Sequence, residues 1–265
     1  MNILDKILLQ LKNYLFPAYC AVCNCSLLNV NEIKYSLCAA CRSSIVPVQG
    51  RTCIICGKPL ISEEEACVPC RAPADPDRRR NPHGNYKYYF YDRLWVLFPY
   101  TGRYRKLLAA YKFRKNIVLA DFFTEKIVNV INENPELQEA VIVPVPSRPG
   151  KIKENGWDQV DYLVKRLKKL CKDRSFSFCL KRRKSSIQKY LNRKDRLENL
   201  KDRIYVNKDA SVISAGQKLP DKSFPVETAL IIDDVITTGS TMEICAKALK
   251  ETGVKRIYGL CIFYD

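Results

Sequence analysis

Eight of the thirteen cysteines fall in four C-x2-C pairs before residue 71: Cys20/Cys23, Cys38/Cys41, Cys53/Cys56 and Cys67/Cys70. The pattern is C-x2-C-x14-C-x2-C followed by C-x2-C-x10-C-x2-C, two copies of one small unit with the spacing of tetrahedral metal sites. Asn24 follows Cys23 and Gly57 follows Cys56, the two residue types that most easily take positive φ in a tight turn around a metal. Disulfides are the competing reading. The stretch from Met1 to Phe16 is broken by Asp5, Lys6, Lys12 and Asn13 and is followed by no small-residue cleavage site, so a reducing, cytoplasmic setting is expected, where paired cysteines bind metal more often. Two structural Zn²⁺ sites follow, with Cys20, Cys23, Cys38, Cys41, Cys53, Cys56, Cys67 and Cys70 as ligands and the sharing of pairs, sequential or crossed, left open. Closed four-thiolate sites keep no position for a substrate. Cys25, Cys171, Cys179, Cys245 and Cys261 read as leftovers, the last two as core packing.

Ile3, Ile7, Leu8, Leu11 and Leu15 mark one face of a short amphipathic helix over residues 1–17; its polar face is not basic, which favours packing on the protein over a membrane surface. No apolar run approaches a membrane span. The double metal unit takes residues 18–72. Residues 73–85, with Pro73, Pro76, Pro82, Arg78 to Arg80 and Gly84, read as an exposed basic linker in which His83 is solvated. Residues 86–265 are long enough for one full-sized domain.

The formal charge of +17 is concentrated in residues 86–200, which carry 26 basic and 12 acidic side chains, an excess of 14. A segment this basic points to a phosphate-rich partner. Lys112, Arg114 and Lys115, then Lys151 and Lys153, then Lys181 to Lys184 could track a single-stranded DNA backbone, with Tyr104, Trp157 or Tyr190 as stacking platforms. The same cations could serve only a small, highly charged ligand, and Tyr104 sits on an apolar helix face that favours the core.

Beyond Tyr86 the pattern becomes α/β. Leu94 to Phe98, Ala140 to Val145, Ala229 to Ile232 and Arg256 to Phe263 read as strands. Helical periods run through Tyr104, Leu107, Leu108 and Tyr111, through Val160, Leu163, Val164, Leu167 and Cys171, and over Thr241 to Thr252. Such alternation predicts a mostly parallel sheet with helices on both faces and its sites at the carboxyl ends of strands. The polar, basic stretch 181–199 reads as a mobile loop.

Near the C-terminus the chain reads Ala229-Leu-Ile-Ile-Asp-Asp-Val-Ile-Thr-Thr-Gly-Ser-Thr-Met242. A buried strand ends in Asp233 and Asp234, and a hydroxyl-rich turn leads into a helix that opens Ser240-x-x-Glu243, a candidate capping box, and closes at Gly253. Backbone N–H groups in such a turn converge on an anion and the helix dipole reinforces them. No G-K-[ST] follows the glycine and only one glycine is present, which excludes a Walker-type loop and a dinucleotide fingerprint. The adjacent carboxylates sit where vicinal sugar hydroxyls would lie.

Residues 229–242 resemble the signature of type I phosphoribosyltransferases, and the chain resembles the ComF family, phosphoribosyltransferase-like proteins with an N-terminal double zinc ribbon linked to natural DNA uptake. Further stretches fit in order: the cysteine pairs after Leu15-Phe16-Pro17; Tyr100-Thr-Gly to Lys112-Phe113; Val143-Pro-Val-Pro-Ser147 with Gly156-Trp-Asp-Gln159; and Gln188 with Arg193, Arg196, Asn199 and Leu200. Asp158 departs from the asparagine common in the family. The resemblance implies a type I phosphoribosyltransferase-like domain in which Asp233 and Asp234 hold the ribose hydroxyls of phosphoribosyl pyrophosphate. Thr237, Thr238, Gly239, Ser240 and Thr241 would bind its 5-phosphate, and Val145, Pro146, Ser147 and Arg148 would form the pyrophosphate loop. The 181–199 segment would close over the site and bring Arg193 and Arg196 to the leaving group. Mg²⁺ accompanying the ligand would neutralise the leaving oxygens, and closure would exclude water. No acceptor-binding segment is legible, and a glutamine-cleaving domain has no support, because the first cysteine, Cys20, lies in a metal knuckle. Two expectations follow: a ligand-binding protein that handles single-stranded DNA with the uptake machinery during competence and natural transformation, or a working phosphoribosyltransferase acting on an unidentified acceptor with the zinc module as scaffold.

Overall fold

The computed structural model describes residues 17–60, 62–71, 89–183, 204–207, 209–214, 217–223 and 225–265. The apolar positions of the expected N-terminal helix, the expected linker 73–85 with His83, and most of the basic stretch 181–199, including Lys184, Gln188, Tyr190, Arg193, Arg196 and Asn199, lie outside the described residues.

Seven strands form one sheet in the order β1-β9-β8-β2-β3-β6-β7: β1 (Arg93–Pro99), β2 (Val141–Pro144), β3 (Ser175–Phe176), β6 (Ser211–Ser214), β7 (Gln217–Ser223), β8 (Thr228–Ile236) and β9 (Arg256–Tyr264). From β1 across to β3 every pairing is parallel, as the alternation of strand and helix patterns predicts. β6 and β7 add antiparallel strands at the far edge, and β4 (Leu180–Arg182) pairs with β5 (Ile204–Val206) in a separate two-stranded ribbon. Periodicity alone did not disclose these; the strands are short and polar, and antiparallel partners need no crossover helix to announce them.

Successive strand residues face opposite sides of the sheet. Trp95 and Leu97, Leu230 and Ile232, and Tyr258, Leu260 and Ile262 join one core with the helices Gly102–Lys112 (α4), Leu119–Glu133 (α5) and Gln159–Leu170 (α7). Leu94 and Val96, Ala229 and Ile231, and Ile257 and Cys261 join the other, beneath the helix Ser240–Glu251 (α8) and the β4–β5 pair. That split bears directly on the acidic doublet: Asp233 continues the Ala229/Ile231 side and Asp234 the Leu230/Ile232 side.

The N-terminal module is an internal repeat with a period of 33 residues. Cys20 N donates to Cys25 O and Asn24 N to Cys20 O; Cys53 N donates to Lys58 O and Gly57 N to Cys53 O. Tyr19 bridges Ser26, and Thr52 bridges Pro59. Asn24 (φ 63) and Gly57 (φ 69) both take the left-handed conformation that the knuckle requires. Three short helices complete the module: α1 (Val30–Tyr35), α2 (Ala39–Ser44) and α3 (Val68–Arg71). The second copy lies along β1, whose far side has no strand partner among the described residues. Leu94 N donates to Ile54 O at 2.9 Å and Val48 N to Leu97 O at 2.7 Å, so the ribbon covers an edge that would otherwise present open backbone groups.

Candidate functional site

The carboxyl ends of β2 and β8 lie side by side, with Pro144 opposite Ile232 in register. Val145 N continues the pairing to Ile232 O at 3.0 Å, so residues 145–148 leave the sheet beside Asp233 and Asp234. Parallel strands converge their C-terminal turns on one rim, where open α/β sheets bind ligands.

On that rim the turn after β8 runs through Thr237 and Thr238, both exposed, to Gly239 at φ 76. Open contact distances surround a Cβ built at Gly239, the nearest being Ile236 Cδ1 at 3.6 Å, so the backbone angle rather than space requires glycine. Gly239 is the N-cap of α8 and Ser240 its first helical residue. The expected capping box therefore does not form: the positive φ moves the cap to glycine, Ser240 Oγ pairs with Thr238 Oγ1 at 2.9 Å, and Glu243 accepts from Phe90 N at 3.0 Å. Glu243 N is the donor to Gly239 O, so the amides of Ser240, Thr241 and Met242 head the helix without intrahelical acceptors. Asp233, Cys261 and residues 235–242 line a small recess of about 40 Å³ at this turn.

The two carboxylates have distinct surroundings. Asp233 Oδ1 accepts from Asp234 N at 2.8 Å. Burial, reinforced by the neighbouring Asp234 charge, pushes the Asp233 carboxyl well above the ordinary carboxylate range. Burial likewise raises the thiols of Cys245 and Cys261 on its side of the sheet, which holds them neutral and unreactive, as core packing. Asp234 Oδ2 accepts from Gln159 Nε2 at 2.7 Å and pairs with Lys112 Nζ at 3.1 Å.

Gln159 is itself held. Asp158 caps α7 through Oδ1, accepting from Val160 N at 3.0 Å and Asp161 N at 2.9 Å. Its Oδ2 takes Lys151 Nζ at 2.6 Å, and the same ammonium donates to Gln159 Oε1. Tyr111 hydroxyl donates to Gln159 O at 2.7 Å, its ring edge-on to Trp157 and Phe123, and burial raises its phenol. A carboxylate thus suits Lys151 at position 158, because an asparagine amide would turn a donor or a weaker neutral oxygen towards the ammonium.

Of the first five basic residues of the expected DNA track, four have acceptors within the chain: Lys112 on Asp234, Lys151 on Asp158 and Gln159, Arg114 on Ala21 O at 2.9 Å and Lys115 on Asn155 O at 2.8 Å. Lys153 is exposed. Arg148, expected in the pyrophosphate loop, forms a bidentate pair with Glu154 that holds that carboxyl below its usual range. Trp157 packs against Tyr111 and Tyr162, and Tyr104 stacks on Phe98, so both rings are half-buried against the core. Beside Val145, Pro146 and Ser147 a groove of about 290 Å³ opens towards Phe178, Arg182 and Tyr205.

The thiols gather into two clusters, one within residues 20–38 and one within residues 53–70, which favours sequential over crossed sharing of the pairs. Sulfurs of Cys53, Cys56, Cys67 and Cys70 lie within 4.8 Å of one another, as do those of Cys20, Cys23, Cys25 and Cys38. A tetrahedral ion with Zn–S near ~2.3 Å sets its sulfurs about 3.8 Å apart. The 3.6 Å between Cys56 and Cys67 and the 3.7 Å between Cys23 and Cys38 fit it. Cys25 is the departure from the expected set. The left-handed Asn24 turns the chain so that Cys25 Sγ lies 3.4 Å from Cys23 Sγ, while Cys41, whose amide donates to Cys38 Sγ at 3.4 Å, falls outside the group of four. Cys25 therefore stands where Cys41 was expected. Lys58 holds the place equivalent to Cys25 in the second copy.

Sequence reasoning missed Lys112 and Gln159 as neighbours of Asp234. A signal existed for the first: Lys112 closes the helical face Tyr104, Leu107, Leu108 and Tyr111, so an anchored helix end had to set it down near the sheet rim.

Residues 11–71 match the family model of the double zinc ribbon domain. Over 235 residues the chain is 25% identical to Competence protein F of Haemophilus influenzae, covering 86% of this chain and 90% of that protein. It is 24% identical over 222 residues to Competence protein ComFC of Bacillus subtilis, covering 82% of this chain and 79% of that one. Among the described residues no helix is long and apolar enough to cross a membrane. With two four-thiol clusters in a double ribbon and a mostly parallel α/β sheet behind them, the chain is similar along most of its length to these two competence proteins.

Proposed function

We propose that this protein binds phosphoribosyl pyrophosphate at the turn between β8 and α8 and acts in competence, the role named for both relatives, handling incoming single-stranded DNA. One observation carries the ligand reading: Asp234, braced by Gln159 and Lys112, stands at the mouth of a turn whose helix-heading amides point away from the helix. A phosphoryl group takes those amides and the hydroxyls of Thr237, Thr238, Ser240 and Thr241. The ribose hydroxyls donate to Asp233 and Asp234, and the diphosphate extends to residues 145–148. Mg²⁺ bound with the ligand supplies charge neutralisation of the diphosphate. Zinc in the two thiol clusters is structural, holding the ribbon on the β1 edge.

Calorimetric titration of the full chain with phosphoribosyl pyrophosphate and magnesium tests the reading. Saturable heat that disappears in Asp233→Asn with Asp234→Asn, at unchanged zinc content, supports it; no heat from the parent protein removes it. The DNA part rests on the basic excess of residues 86–200 and predicts single-strand binding that weakens steeply with salt. A purified protein with no affinity for single strands at low salt would end that part alone.

A working transferase is the second reading, favoured by the groove beside residues 145–147, where Phe178, Tyr205 and Arg182 give a planar acceptor a place next to the diphosphate. Release of pyrophosphate, measured with and without single-stranded DNA, decides it.

A further inference from the structure

We propose that Lys112 is a resident cation of the sugar-phosphate site, fixed on Asp234 so that the anionic ligand can bind with part of its charge compensation already in place; this rests on the reading of the β8–α8 turn given above. The Asp234 carboxylate at the rim repels a sugar diphosphate. Something positive must lie between them, either an ion arriving with the ligand or a group that the protein supplies.

Lys112 has the position and the rigidity for the second role. It is the last residue of α4, a helix that starts just after β1 and ends two strand positions away, at β8. Tyr111, fully buried, ties that helix end to Gln159 O; Arg114 ties the following turn to Ala21 O and Lys115 ties it to Asn155 O. Lys115 takes φ 52 to make this turn, a conformation that lysine adopts only when its surroundings demand it. The ammonium therefore arrives at Asp234 by construction of the fold. Lys112 Nζ pairs with Asp234 Oδ2, and Gln159 Nε2 donates to the same oxygen. A third of the Lys112 side chain is still exposed, which leaves the cation open to a ligand at the rim. The ammonium end of the pair is open to the rim, while its Asp234 end is buried. At a ligand site the same charge, held in place, changes affinity and needs no rearrangement when the ligand arrives.

Calorimetry with phosphoribosyl pyrophosphate in saturating magnesium and in magnesium-free buffer, with no chelator so that zinc stays in place, tests this on the full chain. The parent protein retains measurable binding without magnesium. Lys112→Met loses about tenfold or more in affinity without magnesium and clearly less with it, because the incoming ion makes up the missing charge. Lys112→Arg keeps the metal-free binding. If Lys112→Met does not fold, Lys112→Gln, which keeps a polar side chain beside Asp234 and removes the charge, carries the test. Equal losses with and without magnesium, or no loss in either, overturn the role of Lys112 and leave the sugar-phosphate reading standing. A parent protein that binds the ligand in neither buffer removes that reading, and this inference with it.

Discussion

Gly57 sits where the second metal knuckle meets the sheet, and replacing it by alanine tests whether the ribbon is docked on β1. Its φ of +69 alone costs an L-residue about 1–2 kcal/mol. The added Cβ would then lie 2.1 Å from Val96 Cγ2 and 3.1 Å from Leu94 O, against ordinary carbon contacts of about 3.5–4.0 Å. Neither partner yields easily. Val96 is paired with Cys261 in the sheet and has a stiff β-branched side chain, and Leu94 N is bonded to Ile54 O within the knuckle's own segment. Overpacking of this kind adds about 1–3 kcal/mol, so Gly57→Ala should cost about 2–5 kcal/mol in all. Gly50 supplies the control: φ is +82 and nothing lies within 4 Å of its Cβ position, so Gly50→Ala should cost only the backbone share of about 1–2 kcal/mol. Urea unfolding of the zinc-loaded protein, followed by the fluorescence of Trp95 on β1 and Trp157, measures both. Equal midpoints for the two variants would refute a ribbon packed against Val96.

Asp158→Asn keeps the helix cap of α7 but removes the acceptor of Lys151, and should lower stability by about 1–2 kcal/mol, whereas Asp158→Ala loses the cap as well and should cost about 1 kcal/mol more in the same unfolding assay. Asp233 has its carboxyl raised by burial, so its protonated form is favoured in the folded state; its contribution is fully present below the unfolded value and is lost as pH rises through the folded one. Asp233→Asn, which still accepts from Asp234 N, should therefore gain stability over the parent at neutral pH, with the gain vanishing towards pH 3–4, about where an unfolded aspartate titrates; a pH-independent difference would contradict the burial argument. Elemental analysis should find two zinc ions per chain, Cys70→Ser should lose the second ion and aggregate through the β1 edge it uncovers, and Cys171→Ser, outside both clusters, should match the parent. Cys41→Ser should retain the first ion and Cys25→Ser should weaken it, because Cys25 rather than Cys41 stands among the four gathered thiols.

The parts of the fold legible beforehand were those written as local patterns. Knuckle spacing, with Asn24 and Gly57 at the turns, announced the ribbons, and apolar runs such as Ala229 to Ile232 announced parallel strands. The acidic doublet with its hydroxylated turn marked the rim. What stayed hidden depends on pairings between distant segments. Nothing near Ile54 says that its carbonyl will meet Leu94 N, and nothing near Lys112 names Asp234, 122 residues on, as its partner. Charge counting misled in a related way: Arg114, Lys115 and Lys151 look free in one dimension, and each has an acceptor in three. The capping box at Ser240 and Glu243 was a local pattern overridden by another local demand, the positive φ at Gly239.

A crystal structure of the zinc-loaded protein with phosphoribosyl pyrophosphate and magnesium is the most direct test of the sugar-phosphate site. The 5-phosphate should lie within hydrogen-bond distance of the amides heading α8 and the hydroxyls of residues 237–241, with the ribose against Asp233 and Asp234. Ligand density elsewhere on the protein, with that turn collapsed or filled by its own side chains, would contradict it.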